Sequence, residues 1–397
     1  CVFTLTAFAG PAERLAEAVR FRTISTQDPA QTDFAEFQRF NAFLRNTYPR
    51  VFAELEVEAV NQHSLLLTWQ GADPAAGAIL FTAHTDVVPI EPGTEADWEY
   101  PPFEGVIADG LVHGRGTLDD KVGVISLLEA AGALLAEGFQ PRKTVVLAFG
   151  HDEEVGGNRG AAKLAERMQQ KGLHFDWMVD EGGMLVPDNP ILPDRTTGLV
   201  AVAEKGYLTL ILEATGEGGH SSMPPMESTI GRLSRALVRI EENPFPPRLV
   251  APVKAMLEDI APFTDQPQRT LLDNLWLTAP LVARSMTADR TTNAYVRTTT
   301  ALTMVNAGVK ENVVPQRAEA RVNFRLLPGD TPDMVVERIT DIVADPSISI
   351  RYDTWNRVAP VADYRGSGFD TIRAAVAEEY PEALGVPTLL VATTHTR

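Results

Sequence analysis

The sequence predicts an α/β fold in which a mostly parallel sheet is interrupted by a second, inserted α+β domain. Three observations predict it. Ala78-Ile79-Leu80-Phe81 is wholly apolar and residues 144–149 nearly so, the pattern of strands covered on both faces. Segments with apolar residues at three- to four-residue steps lie between such runs, so strand and helix alternate as in a sheet with crossover helices. The chain of 397 residues also exceeds what one ordinary core holds, which makes two domains the natural expectation.

Taken in order, residues 11–50 read as helical, with Leu15, Ala18 and Val19 and then Phe34, Phe37, Phe40 and Leu44 on the buried side. Residues 55–60, 65–69 and 78–81 read as strands. A helix over 121–137 turns Val122, Ile125, Leu128 and Leu135 inward, and strand 144–149, helix 158–171 and strand 175–179 follow. The pattern changes near Gly198. Strands at 200–203 and 208–214 flank Lys205-Gly206, a Pro-Phe-Pro-Pro stretch opens a segment (244–290) with two helix-like pieces, and strands at 298–305 and 317–326 close the region. Residues 197–327 are therefore assigned to the inserted domain, and 1–196 and 328–397 to the first. Helix 332–343, strand 348–352, helix 369–379 and strand 388–391 are expected to rejoin the α/β layer.

Composition narrows the function. A formal charge of -18 argues against a nucleic-acid partner, which would require a basic face. The acidity suits cation binding and plain solubility equally. No apolar run is long enough to span a bilayer. Cys1 is the only cysteine, so no intrachain disulfide supports the fold. The start at Cys1 without Met reads as a truncated or processed terminus, with the lipidated Cys of a mature bacterial lipoprotein as the alternative, and the compartment stays open.

Four clusters carry chemistry: His84-Thr85-Asp86, Asp119-Asp120-Lys121, Glu153-Glu154 and Asp180-Glu181-Gly182-Gly183. Each alone has an ordinary explanation. Asp119 and Asp120 before a helix are default capping residues, and Glu153-Glu154 or Asp180 can be solvated turns. Their placement makes them a set, because His84, Glu153, Glu154 and Asp180 come directly after expected strands, where ligands of α/β sheets bind. One imidazole with several carboxylates suits zinc, cobalt or manganese, and two such ions about 3.5 to 4 Å apart can share a carboxylate and polarise a carbonyl together. Asp86, two residues from His84, suits the role of fixing its tautomer. Within Glu153-Glu154, one carboxylate would bind metal while the other takes a proton from water. No EF-hand spacing occurs, which disfavours a calcium-binding protein.

The ordered set, with Gly114-Arg115-Gly116 before Asp119 and Gly219-His220-Ser221-Ser222 later, resembles the co-catalytic zinc amidohydrolases. That family includes carboxypeptidase G, aminoacylase and carboxypeptidase S. Gly150-His151-Asp152-Glu153-Glu154 and Val179-Asp180-Glu181-Gly182-Gly183 are most similar to the branch of carboxypeptidase S and the N-fatty-acyl-amino-acid hydrolase/synthase. The resemblance implies a hydrolase of amide bonds in N-acyl amino acids or short peptides with a free carboxylate, using two divalent ions, zinc before cobalt or manganese. It implies that Asp119 bridges the ions, that His84 and Asp180 serve one and Glu154 the other, and that Glu153 is the general base. Asp86 would orient His84, and the Asp119–Asp120 peptide would be cis. The inserted segment would be a lid and dimerisation domain of a homodimer, with His220 reaching across to the oxyanion. Asn312 and Arg325 would hold the substrate carboxylate.

The resemblance also carries a departure. The family's remaining ligand, a His in a His-Gly-x-Asn-Glu context, has no counterpart after Pro328, and His395 stands where relatives carry Asp. The expectation is that the C-terminal end of the domain lies outside this sequence. Two other readings follow from the same residues: the site running in reverse as an N-acyl amino acid synthase, with the apolar residues between Phe245 and Trp276 near an acyl chain, or an inactive dimeric scaffold lacking its last ligand.

Overall fold

Ala78–His84 is the organising strand of the first half of the chain, flanked in parallel by Thr144–Gly150 on one side and Phe175–Val179 on the other. An antiparallel hairpin, Glu56–Val60 and Ser64–Trp69, extends the sheet from the Thr144–Gly150 edge. The sheet is therefore mixed, with parallel pairing confined to the three strands that carry His84, the Glu153-Glu154 turn and Asp180 at their carboxyl ends. This computed structural model describes residues 10–187, 189, 192, 195–356, 358–392 and 394, so the readings placed on Cys1 and His395 lie outside the described residues. The chain divides into two compact units, Cys1–Glu181 and Gly182–Arg397.

Both faces of the first sheet are covered at its inner strands, which is why Ser64–Trp69, Ala78–His84 and Thr144–Gly150 are largely apolar. On one face Phe40, Leu44, Val124, Ile125 and Leu128 from helices Phe34–Thr47 and Lys121–Ala136 pack on Leu65, Leu67, Leu147 and Phe149. On the other, Leu164 and Met168 of Ala161–Gln170 meet Leu66, Leu80, Val146 and Ala148. Each such side chain contributes roughly 1.5 to 3 kcal/mol on burial. The helical reading of residues 11–50 is broken. Pro11–Val19 ends early, a link with only a short 3-10 turn at Pro29–Gln31 follows, and Asp33 restarts the α-helix by accepting the Ala35 N–H at 3.1 Å.

In the second unit an antiparallel sheet runs in the order Thr299–Ala307, Arg317–Leu326, Gly206–Thr215, Ile348–Trp355. Helices Thr229–Glu242 and Pro332–Val343 cover one face, burying Leu233, Ile240, Val335, Ile339 and Val343 on Leu208, Leu210, Leu212 and Phe324. The expectation that residues 332–352 rejoin the α/β layer is thus corrected. Helix Pro332–Val343 and strand Ile348–Trp355 share the core of the antiparallel sheet instead of rejoining the α/β layer, because their apolar residues repeat toward that core. A separate three-stranded sheet pairs Leu384–Leu390 parallel to Thr197–Glu204 and Met184–Val186 antiparallel to it. Helix Ala251–Ile260 packs there through Val253, Met256 and Leu257. The 244–290 segment and the residues just after it hold more helix than expected: Ala251–Ile260, Gln268–Asp273, Leu275–Ser285 and Arg290–Val296. Among the described residues no helix is long and apolar enough to cross a membrane.

Candidate metal centre

His84 ends the central strand and is fully buried. Its Nδ1 lies 3.0 Å from the Asp86 carbonyl oxygen and 3.3 Å from Asp86 Oδ1. A neutral ring donating from Nδ1 there keeps the Nε2 lone pair for a cation. Nε2 faces Asp119 Oδ1 at 2.8 Å and Glu181 Oε2 at 3.4 Å.

Asp119 reaches this position from a turn built on glycines. Gly114 and Gly116 have φ of 150° and 86°, and a Cβ on Gly116 would stand 2.8 Å from Val87 Cγ1, so the turn needs glycine there. The Asp119–Asp120 peptide is cis, as the resemblance implied. Asp120 occupies the N-cap position of helix Lys121–Ala136 but makes no side-chain cap bond. Its Oδ2 instead accepts the His84 N–H at 3.2 Å, which replaces the capping explanation with a link to the His84 strand.

Asp86 does more than face the imidazole. Fully buried, it accepts the Glu153 N–H on Oδ1 at 3.0 Å and the Glu154 N–H on Oδ2 at 3.1 Å, so the carboxylate expected to orient His84 also holds the turn bearing both glutamates. Burial pushes its pKa up, but His84, the Ser25 hydroxyl and the Glu154 N–H outweigh this and hold Asp86 below the usual carboxylate range.

Two sets of ligand atoms lie within 4.8 Å of one another: His84, Asp119 and Glu154, and His84, Asp120 and Glu181. Three expected ligands thus come together. Asp180 is in neither set; its Oδ1 accepts the Thr82 hydroxyl at 2.6 Å. Asp120 and Glu181, next to expected ligands, were not singled out from the sequence, although the paired acids Asp119-Asp120 and Asp180-Glu181 were the available signal. Glu153 also stands outside both sets, which suits an uncoordinated base.

The electrostatics fit a cation. Burial, then the negative charge of Asp119, pushes Glu154 up to about 7. Burial and the neighbouring Glu181 push Asp120 up to about 8. Burial opposes protonation of His84, but Asp119, Asp86 and Glu181 raise it well above its ordinary value. So many carboxylates around one imidazole cannot all ionise by themselves; a divalent ion would supply the missing positive charge and reverse these shifts.

The expected substrate residues lie in the second unit. His220 pairs with Val313 in a short ribbon, and its Nδ1 accepts the Ser222 N–H at 3.2 Å. A backbone N–H can only donate, so the neutral ring carries its proton on Nε2, a donor. Asn312 is brought to the same ribbon, where its carbonyl oxygen accepts the Ser221 N–H at 3.1 Å. Arg325 pairs in register with Tyr207 and lays its guanidinium 4.7 Å from that ring's centre.

A buried imidazole facing carboxylates at the ends of parallel strands, with a further carboxylate on the same turn, defines a metal-dependent hydrolase of amide bonds. The chain belongs to peptidase family M20/M25/M40, whose model matches residues 80–395. It is 37% identical over 393 residues to the probable carboxypeptidase S-like 2 of Dictyostelium discoideum, covering 97% of this chain and 75% of that protein. It is 36% identical over 391 residues to the N-fatty-acyl-amino acid synthase/hydrolase PM20D1 of Mus musculus, covering 97% of this chain and 77% of that protein. The solved structure of human carnosine dipeptidase 1 has the same fold, with a TM-score of 0.67, 16% identity and coverage of 96% of this chain and 84% of that one.

Proposed function

We propose that this protein hydrolyses amide bonds in N-acyl amino acids or short peptides bearing a free carboxylate, with two divalent ions at the His84 centre. The observation that carries the reading is the contact of His84 Nε2 with Asp119 Oδ1 at 2.8 Å while Asp86 occupies the Nδ1 side, with Glu154 in the same group. His84, Asp119, Glu154 and Asp180 would hold the ions; the N/O donor set suits zinc, cobalt or manganese, and the family resemblance favours zinc among them. When bound, the ions supply Lewis-acid chemistry and an acidic water.

The chain's own residues do the rest. Glu153 takes a proton from the attacking water and returns it to the leaving amine nitrogen. His220 donates from Nε2 to the oxyanion. Arg325, a planar fork suited to carboxylates, and Asn312, whose Oδ1 is buried without a hydrogen-bond partner among the described residues, hold the substrate carboxylate. The antiparallel sheet is the lid and dimerisation domain of a homodimer. Its edge strand Thr299–Ala307 pairs on one side only among the described residues, and Met304 and Val305 on it are exposed. The substrate reading is tested by stripping the protein with a chelator, restoring Zn2+ and comparing N-acyl amino acids with their carboxamides. Zinc-restored turnover of the free acids alone is expected; equal turnover of both removes the carboxylate requirement.

The relatives named synthase/hydrolase favour one further reading, the reverse condensation of a fatty acid with an amino acid at the same residues. Incubation with both free components and detection of the N-acyl product tests it.

A further inference from the structure

We propose that Ser25 is a positioning residue of the hydrolytic centre, acting through Asp86. This rests on the reading of Glu153 as base and Glu154 as ligand. Ser25 lies in no motif and is 61 residues from its partner, yet its buried hydroxyl donates to Asp86 Oδ2 at 2.5 Å. That oxygen also accepts the Glu154 N–H, and Oδ1 accepts the Glu153 N–H. The carboxylate is thus surrounded by three donors and the His84 ring, and its orientation sets where both glutamates begin.

The segment carrying Ser25 is itself fixed. The Thr23 hydroxyl donates to the Thr85 carbonyl at 2.6 Å, the Thr23 carbonyl accepts the Val87 N–H at 3.0 Å, and Ile24 forms a parallel bridge with Val87. Upstream, Lys121 Nζ donates to the carbonyls of Ala18 at 2.9 Å and Phe21 at 2.5 Å. The link after the first helix is therefore a strap bound on both sides of Asp86, leaving the Ser25 hydroxyl facing one acceptor. A buried carboxylate that loses one of its donors turns or rises in energy, and here the displacement passes to Glu153 and Glu154 through their N–H groups. Partners of this kind commonly change metal affinity or activity by about 10- to 100-fold.

The test compares S25A, S25T and E153A in the full chain, measuring kcat and KM on an N-acyl amino acid, the ZnCl2 concentration for half-maximal activity, and melting temperature. S25A is expected to lower kcat by about 10- to 100-fold and raise the half-saturating zinc concentration, with KM within about twofold. S25T, which keeps the hydroxyl, is expected to recover most of the loss. The proposal is overturned if S25A retains native kcat and zinc dependence, whether or not it melts earlier, or if S25T is as impaired as S25A. An active E153A would instead overturn the underlying reading of the base; an inactive E153A beside a native-like S25A would overturn only the role of Ser25.

Discussion

Asp86 Oδ2 accepts the Glu154 backbone N–H at 3.1 Å, so the residue facing His84 also anchors the turn that presents a second expected ligand. Two ligands from different strands are thereby referred to one buried carboxylate. Asp86→Asn keeps the shape but replaces one acceptor oxygen with a donor, which cannot accept from Glu153, Glu154 and Ser25 together. Metal affinity and kcat are expected to fall about 10- to 100-fold, measured by competition with a chromogenic chelator and by steady-state turnover.

Removing metal should change the pH dependence of stability. Glu154 at about 7 and Asp120 at about 8 stand above their ordinary values, so the folded metal-free chain holds protons that the unfolded chain has released. Their contribution is full below the ordinary carboxylate pKa and is lost as pH rises through those values. The gain in melting temperature from added Zn2+ is expected to grow between about pH 5 and about pH 8.5, because the ion replaces the protons held by Glu154 and Asp120. Parallel melting curves across that range check the sign.

Asp180 and Glu181 can be told apart by counting metal. The resemblance assigns the ligand to Asp180, whereas Glu181 Oε2 stands 3.4 Å from His84 Nε2. Asp180→Ala is expected to lower the bound zinc per chain and abolish turnover, while Glu181→Gln keeps the full count. Elemental analysis of both variants decides it, and the opposite pattern would move the ligand to Glu181.

Lys121 should matter for folding. It is fully buried, lies 4.9 Å from the centre of the Phe40 ring and donates to the Ala18 carbonyl of the first helix and the Phe21 carbonyl of the strap. Burial pushes its ammonium down to about 7, so Lys121→Met is relieved of a charge; it removes one donor from each carbonyl, while Ala18 keeps the Phe21 N–H and Phe21 keeps the Thr23 N–H. The lost hydrogen bonds are the larger effect, and because neither carbonyl is orphaned a net destabilisation of about 0.5 to 1.5 kcal/mol is expected in urea unfolding.

Much of the first unit was legible because its strands are apolar on both faces and its acids follow them. His84 and the Glu153-Glu154 pair were found this way, the resemblance added Asp119 and singled out Glu154, and His84, Asp119 and Glu154 come together. Three things were not legible, each for a physical reason. A strand's own pattern does not reveal its sheet, so Ile348–Trp355 was expected in the α/β layer although it pairs with Gly206–Thr215. Neighbouring acids such as Asp180 and Glu181 leave an extended backbone on opposite sides, and the order of residues cannot say which side faces His84. Ser25 gave no local signal because its role depends on a contact made only when the strap folds onto residues 85–87.

The central claim is that Glu153 moves the proton at a metal centre held by other residues. Its most direct test is Glu153→Ala, with turnover of an N-acyl amino acid and zinc content measured on the same preparation. The account predicts a loss of at least about 100-fold in kcat with zinc content unchanged. Retention of most activity, or loss of zinc along with activity, would contradict it.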